Sequence, residues 1–213
     1  MLKEWLLNLL YPPRCPGCGA AVSRHGQWCS SCFGAVWRPR RLARKRESRL
    51  TACYCLCDYR GPVRTMLQRL KYDGAVRYER AAEALLTQFP WPERLGHIDC
   101  VVPVPLAPEK ECKRGFNQSE VLFRSWAERR WPWKDGLQRV RSTQAQWHLD
   151  KADRADNVKR AFEVKGSFEV RGKHILLVDD IYTTGTTMEA CAYALHKKGA
   201  ASVTGFVVAS GAL

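Results

Sequence analysis

Residues 174–187, His-Ile-Leu-Leu-Val-Asp-Asp-Ile-Tyr-Thr-Thr-Gly-Thr-Thr, constrain the fold of this chain more than any other stretch. Ile175 to Val178 form a short apolar run that ends at two consecutive carboxylates, Asp179 and Asp180, and a hydroxyl-rich loop around one glycine follows. An apolar run of that length bounded by turn residues reads as a buried strand ending in a ligand site. Beyond it Met188, Cys191, Ala192 and Leu195 recur at helical spacing, Lys197 and Lys198 suit the negative end of a helix dipole, and Gly199 falls where a helix stops. Strand, Gly/Thr loop and helix N-terminus in that order make an anion cradle, because N–H groups without helical partners and the positive helix end converge on one point. An ordinary strand-to-helix turn with Asp or Thr as cap has the same outline. The joint occurrence of two acids, the Thr-Thr-Gly-Thr-Thr loop and the strand favours the ligand site.

The rest of the chain supplies partners for that strand. Thr51 to Tyr59 alternates, with Cys53, Cys55 and Cys57 on one face and Tyr54, Leu56 and Asp58 on the other, which predicts a strand. Those three thiols read as core packing rather than a metal site, because no fourth ligand lies nearby in sequence. Gly61-Pro62 opens a helix carrying Val63, Met66, Leu67 and Leu70 that ends at Lys71-Tyr-Asp-Gly74, and a further helix spans about residues 77–89. Ile98 to Leu106 is an apolar strand that must stop at Pro103-Val-Pro105, since proline cannot donate to a central ladder. A parallel strand that stops there delivers the next loop, with Lys110, Lys113 and Arg114, to the carboxyl edge of the sheet, where α/β folds bind ligands. A helix follows over about 119–130, with Glu120 in its first turn. Leu137 to Val140 and Ala161 to Val164 read as paired short strands, Lys173 to Asp179 as the central strand and Ser202 to Ala209 as the last. Alternation of strand and helix predicts an α/β fold with a mainly parallel sheet flanked by helices and joined by right-handed crossovers.

Ahead of that domain the composition changes. Cys15-Pro-Gly-Cys18 and Cys29-Ser-Ser-Cys32 are two CxxC pairs, and their spacing can set four thiolates tetrahedrally around Zn²⁺. His25 lies between them, but four thiols already complete the shell. A closed site of this kind is structural, folding a ribbon with little apolar core of its own. The net charge of +14 is uneven: residues 1–52 hold ten Lys or Arg against two acids, a net +8. Most of it lies in Arg38 to Arg49, where Arg40, Arg41, Arg44 and Lys45 stand ready for a nucleic-acid backbone, with Trp28 and Trp37 near enough in sequence to stack on bases. A solvated linker explains the same run equally well. Leu2, Trp5, Leu6, Leu9 and Leu10 make a helical stripe best suited to docking on the protein itself. No stretch reaches the roughly 20 apolar residues of a membrane span, and the N-terminus, with Glu4, lacks the features of a secretory signal. The expected compartment is therefore the reducing cytoplasm, where paired cysteines bind metal rather than form disulfides. The expected division is residues 1–50 for helix, zinc ribbon and basic linker, and residues 51–213 for the main domain.

The 174–187 run resembles the phosphoribosyl-pyrophosphate (PRPP) motif of type I phosphoribosyltransferases. Val-Pro-Val-Pro-Leu at 102–106 and Arg-Gly-Phe-Asn-Gln-Ser at 114–119, with Arg141-Ser-Thr-Gln144, Arg154, Asn157 and Ala161-Phe162, are similar to the ComF/GntX family of competence-associated proteins. That family couples a four-cysteine element to a phosphoribosyltransferase domain, and the likeness covers nearly the whole chain. The resemblance implies that Asp179 and Asp180 face the ribose hydroxyls and that Thr183, Thr184, Gly185, Thr186 and Thr187 hold the 5′-phosphate. It also implies that the backbone of Val104, Pro105 and Leu106 completes the pyrophosphate side. Mg²⁺ would bridge pyrophosphate and ribose, and Lys113 or Arg114 would meet leaving-group charge. Many relatives carry further CxxC pairs, whereas this chain has only Cys53, Cys55 and Cys57, which argues against a second zinc. Two functions stay open at this point. One is transfer of a phosphoribosyl group to an unidentified acceptor; the other is a non-catalytic, PRPP-gated module whose basic N-terminus handles single-stranded DNA or meets the DNA-uptake machinery. The acceptor and the oligomeric state are open as well.

Overall fold

The apolar runs at 52–58, 100–103, 174–182 and 202–210 become the parallel strands of one five-stranded sheet, and two short strands pair apart from it. The computed structural model describes residues 11–43, 46–73, 77–90, 92–140 and 161–211. Strand β1 (Trp37–Arg41) pairs antiparallel with β2 (Ala52–Asp58), and β2 leads through helices α2 (Gly61–Asp73) and α3 (Arg77–Thr87) to β3 (Cys100–Pro103). Helices α4 (Pro108–Arg114) and α5 (Gln118–Glu128) and a hairpin of β4 (Leu137–Arg139) and β5 (Phe162–Val164) precede β6 (His174–Tyr182). Helix α6 (Thr186–Lys197) then leads to β7 (Ser202–Ser210). The sheet order is β1-β2-β7-β6-β3, with β2, β7, β6 and β3 mutually parallel. Among the described residues no helix is long and apolar enough to cross a membrane.

Alternation along the strands builds two cores. Leu176 and Val178 of β6, with Tyr54, Leu56, Phe206 and Val208, pack beneath α2, α3 and α5 through Met66, Leu85 and Phe123. Ile175 and Leu177, with Cys53, Cys55, Val203 and Val207, face α6 and the hairpin through Met188, Cys191, Leu195, Leu137 and Phe162. Both faces are covered, which is why the central strands are unbroken apolar runs. The three β2 cysteines are buried and join these cores, Cys57 on the first side. Burial, opposed by nearby Arg40, pushes the Cys55 thiol up to about 11, an inert core thiol.

Four local features differ from expectation. Trp37–Arg41, inside the expected basic linker, is the edge strand of the main sheet. Its Pro39 is tolerated because one side of an edge strand needs no ladder donors. Ser30–Val36 is a helix, α1, capped by the Cys29 side chain, which accepts from the Cys32 N–H. The loop with Lys110, Lys113 and Arg114 winds into α4, with Pro108 in its first turn and Gly115 in the left-handed region at its end. Finally β6 continues past the acids to Tyr182, because Ile181 and Tyr182 still pair with Ala209 and Ser210 of β7. The stripe from Leu2 to Leu10, Arg44, Lys45, Arg141, Gln144, Arg154 and Asn157 lie outside the described residues.

Candidate functional site

The carboxyl edge of the sheet assembles the acids, the Gly/Thr loop and the Val-Pro turn. Val104 donates its N–H to Val178 O at 2.9 Å, so the turn after β3 is stitched to the strand that carries the acids. Asn117 holds the other side of that turn: its Nδ2 donates to Val104 O at 3.0 Å, while its Oδ1 accepts from the Ser119 N–H at 3.0 Å and caps α5. Ser119 Oγ in turn donates to Asp179 Oδ1 at 2.9 Å. Asn117 and Ser119 are both buried. One hydrogen-bonded path therefore runs Val104, Asn117, Ser119, Asp179, and it gives the Phe-Asn-Gln-Ser motif a physical task. The sequence reading missed Asn117 and Ser119 as site residues. Their signal was an Asn two residues ahead of a Ser at a helix start, in a segment that follows the Val-Pro turn.

The two acids have different surroundings. Asp179 Oδ1 accepts from Ser119 and from the Asp180 N–H at 2.9 Å, whereas Asp180 Oδ2 is 3.2 Å from Lys71 Nζ. Burial, and then the charge of Asp180, push the Asp179 carboxyl up to about 8, against the opposing pull of the Asp180 N–H, the Ser119 hydroxyl and Lys71. Lys71 sits in the last turn of α2, where the sequence reading took it only as part of a helix end.

Past Tyr182 the chain turns through Thr183 and Thr184, both exposed, to Gly185. Gly185 has φ 78° and caps α6 without any side-chain hydrogen bond. A Cβ there would fall 2.1 Å from Tyr182 Oη, so the Tyr182 ring beneath the loop and the backbone conformation both demand glycine. Thr186 and Thr187, expected in the loop, are the first two residues of α6 and remain exposed. Thr184 Oγ1 and Thr186 Oγ1 are 2.8 Å apart. This geometry presents hydroxyls and the first-turn N–H groups of a 12-residue helix at one point, beside the acids.

Lys113 and Arg114 end α4, which buries no side chain. On the far flank of the Val-Pro turn a cleft opens toward the hairpin, walled by Pro105, Leu106, Trp133, Asp135, Arg139 and Lys165.

The four predicted ligands of the zinc centre meet at one point: their sulfur atoms all lie within 4.8 Å of one another, with Cys18 Sγ and Cys29 Sγ 3.8 Å apart. Zn–S bonds of about 2.3 Å in a tetrahedron place sulfurs about 3.8 Å apart, so the residues fit zinc. Gly17 lets the first knuckle close on the second, since a Cβ there would meet Cys32 Sγ at 2.7 Å. Cys29 N–H donates to Cys15 Sγ at 3.3 Å. Burial opposes ionisation of Cys15, but backbone N–H groups of Cys29, Cys18 and Gly17 bring it down to about 6, a thiolate ready for metal. Among the described residues no second group of three or more such side chains gathers. The ribbon packs on the main domain through buried Trp28, whose Nε1 donates to Ala81 O of α3 at 3.0 Å.

Arg40 and Arg41 lie on β1, where Arg40 pairs with Asp58 at 2.7 Å and Arg41 Nη2 donates to Thr51 O at 3.3 Å. Farther along the basic run, Glu189 of α6 accepts from Ser48 Oγ at 2.6 Å and from the Arg49 N–H at 2.8 Å.

Comparison with known proteins agrees with both halves of this arrangement. Residues 6–44 match the family described as a double zinc ribbon domain, and residues 137–212 match the phosphoribosyl transferase domain. The chain is 31% identical over 196 residues to the DNA utilization protein YhgH of Salmonella typhimurium, covering 89% of this chain and 80% of that one. It is 31% identical over 202 residues to competence protein ComFC of Bacillus subtilis, covering 91% and 76%, and 27% identical over 196 residues to competence protein F of Haemophilus influenzae, covering 88% and 80%. At 31% identity along most of both chains, with the two domain matches in this order, the chain belongs to the ComF family, whose members join a zinc ribbon to a phosphoribosyltransferase domain.

Proposed function

We propose that this chain binds PRPP with Mg²⁺ across the carboxyl edge of its sheet and transfers the phosphoribosyl group to an acceptor. The observation that carries the reading is the path from Val104 through Asn117 and Ser119 to Asp179, which ties the turn after β3 to the acids of β6. Residues 183–187 would hold the 5′-phosphate through backbone donors and hydroxyls, and Asp179 and Asp180 would orient the ribose. The carboxylates are the hard oxygen ligands that Mg²⁺ selects, and the ion would neutralise diphosphate charge when bound. Lys113 or Arg114 would add to that neutralisation by approaching the site from α4. In the transfer an acceptor lone pair forms the new bond to the anomeric carbon. The bond to the diphosphate oxygen breaks, and its electron pair leaves with the diphosphate. The cleft beside Trp133 and Arg139 is the proposed approach for the acceptor.

Thermal shift with PRPP and Mg²⁺ tests the reading. Ligand at about 100 times its dissociation constant adds about 2.7 kcal/mol to stability, and Asp179→Asn with Asp180→Asn abolishes the rise. An equal shift in the double variant rejects the assignment, and diphosphate release in the presence of acceptor candidates separates transfer from binding alone.

A second reading draws on the charge of residues 1–52 and on relatives named for DNA utilization and competence. In it the zinc-bearing N-terminus contacts single-stranded DNA, or the machinery that takes it up, in the cytoplasm, while the PRPP site acts as a gate. Arg40, Arg41, Arg44 and Lys45 are its proposed contacts.

A further inference from the structure

The acid pair already holds a cation, and it comes from α2 rather than from α4. Lys71 Nζ lies 3.2 Å from Asp180 Oδ2, with the two side chains 27% and 13% exposed, whereas Lys113 is fully on the surface of a helix that buries nothing. Lys71 is a cation that reaches the acid pair directly. Asp179 and Asp180 are consecutive, and Asp179 is engaged by the Ser119 hydroxyl and the Asp180 N–H. The ammonium thus falls on the acid that has no such partner among the described residues, and it balances a carboxylate held away from water. Any ligand that brings its own positive or hydroxyl partners to Asp180 competes with Lys71 for the same oxygen. The displaced ammonium then needs an anion, and a polyphosphate ester bound at this edge brings one within reach of its flexible four-carbon stem. Lysine binds phosphate as a point charge and tolerates such a change of partner, where a planar guanidinium would be committed to one geometry.

We infer that Lys71 is the diphosphate-binding cation of this site: it is stored on Asp180 in the ligand-free protein and passes to the diphosphate of the bound ligand. This rests on the PRPP reading above and assigns a residue to the charge that the 5′-phosphate loop leaves unmet. The exchange predicts a ligand-selective effect. A group that serves the diphosphate matters for PRPP and not for ribose 5-phosphate, which has the same sugar and 5′-phosphate but no diphosphate. A group that only positions Asp180 affects both ligands alike.

The experiment is calorimetric titration of the full-length protein with PRPP and with ribose 5-phosphate, each with Mg²⁺, in the wild type, Lys71→Met, Lys71→Gln and Lys71→Arg. Expected are a loss of about tenfold or more in PRPP affinity for the Met and Gln variants, the scale of a charge-assisted hydrogen bond, with partial recovery in the Arg variant. Ribose 5-phosphate affinity should stay within about twofold or tighten, because Asp180 is released from its partner. Equal losses for both ligands, or unchanged PRPP affinity, overturn the inference while leaving PRPP binding intact. A wild type that binds no PRPP overturns the functional reading itself. Should the Met variant fail to fold, the Gln variant, which keeps polarity at that position, decides the same comparison.

Discussion

At the scale of single residues, Asp179 is the group whose protonation matters most. Burial and its neighbour Asp180 hold its carboxyl near 8, while in the unfolded chain it ionises at about 4. Between those values the folded state binds a proton that the unfolded state lacks. Ligand-free stability therefore falls as pH rises from about 4 to about 8, by up to about 1.4 kcal/mol per pH unit, and levels above that range. Asp179→Asn should flatten that part of the profile, measured as urea midpoints across the same range; a slope unchanged in the variant would place the proton elsewhere. Gly185 makes a related point about legibility. A glycine between threonines was plain in the sequence, but the reason for it, a tyrosine ring three residues earlier beneath the turn, depends on a strand running on to Tyr182. Nothing local distinguishes a strand that ends at Asp179 from one that continues three residues further, to Tyr182; only the pairing with Ala209 and Ser210 decides it.

At the scale of elements, the ribbon docks on α3, and the integrity of that contact should depend on metal. The knuckles bring almost no apolar core, and Trp28 reaches out of them to Ala81. Removing zinc from the full-length protein with a strong chelator should release about one ion per chain. It should also lower Tm and red-shift tryptophan emission as Trp28 enters water. The emission change should be absent in Trp28→Phe, and an unchanged spectrum in the wild type would mean that the ribbon stays docked without metal. Helices α2, α3, α5 and α6 were legible from their spacing because each buries a stripe against the sheet. Helices α1 and α4 were not: both have seven residues, too short for a period to emerge, and α1 starts at the Cys29 cap while α4 is bounded by Pro108 and Gly115 rather than by apolar pattern. The strand Trp37–Arg41 was hidden for another reason, since an arginine-rich edge strand with a proline carries the composition of a linker.

At the scale of the whole molecule, the parallel sheet and the ordering of motifs were readable because both faces of the sheet are buried and write long apolar runs into the chain. How the halves of the site meet was not, because the Asn117 and Ser119 bridge and the Lys71 contact join residues 13, 60 and 109 positions apart. The charge asymmetry is also a whole-molecule property. If the basic N-terminus contacts single-stranded DNA, affinity should fall steeply with salt and weaken when Arg40, Arg41, Arg44 and Lys45 become alanine. Arg40 and Arg41 are tied to Asp58 and Thr51, so replacing those two alone should also cost their local contacts, and salt-insensitive binding would remove the electrostatic argument. The tight packing of Gly17 has a last consequence. Its Cα also backs onto Pro62, where an added methyl carbon would lie 3.3 Å from Cβ, and Pro62 is in the first turn of the 13-residue helix that carries Lys71 in its last. That helix is a rod of about 20 Å with a zinc knuckle at one end and the acid pair at the other. If a ligand bound at the acid pair is coupled to the knuckle through this helix, the change that zinc makes in ligand affinity equals the change that the ligand makes in the hold on zinc.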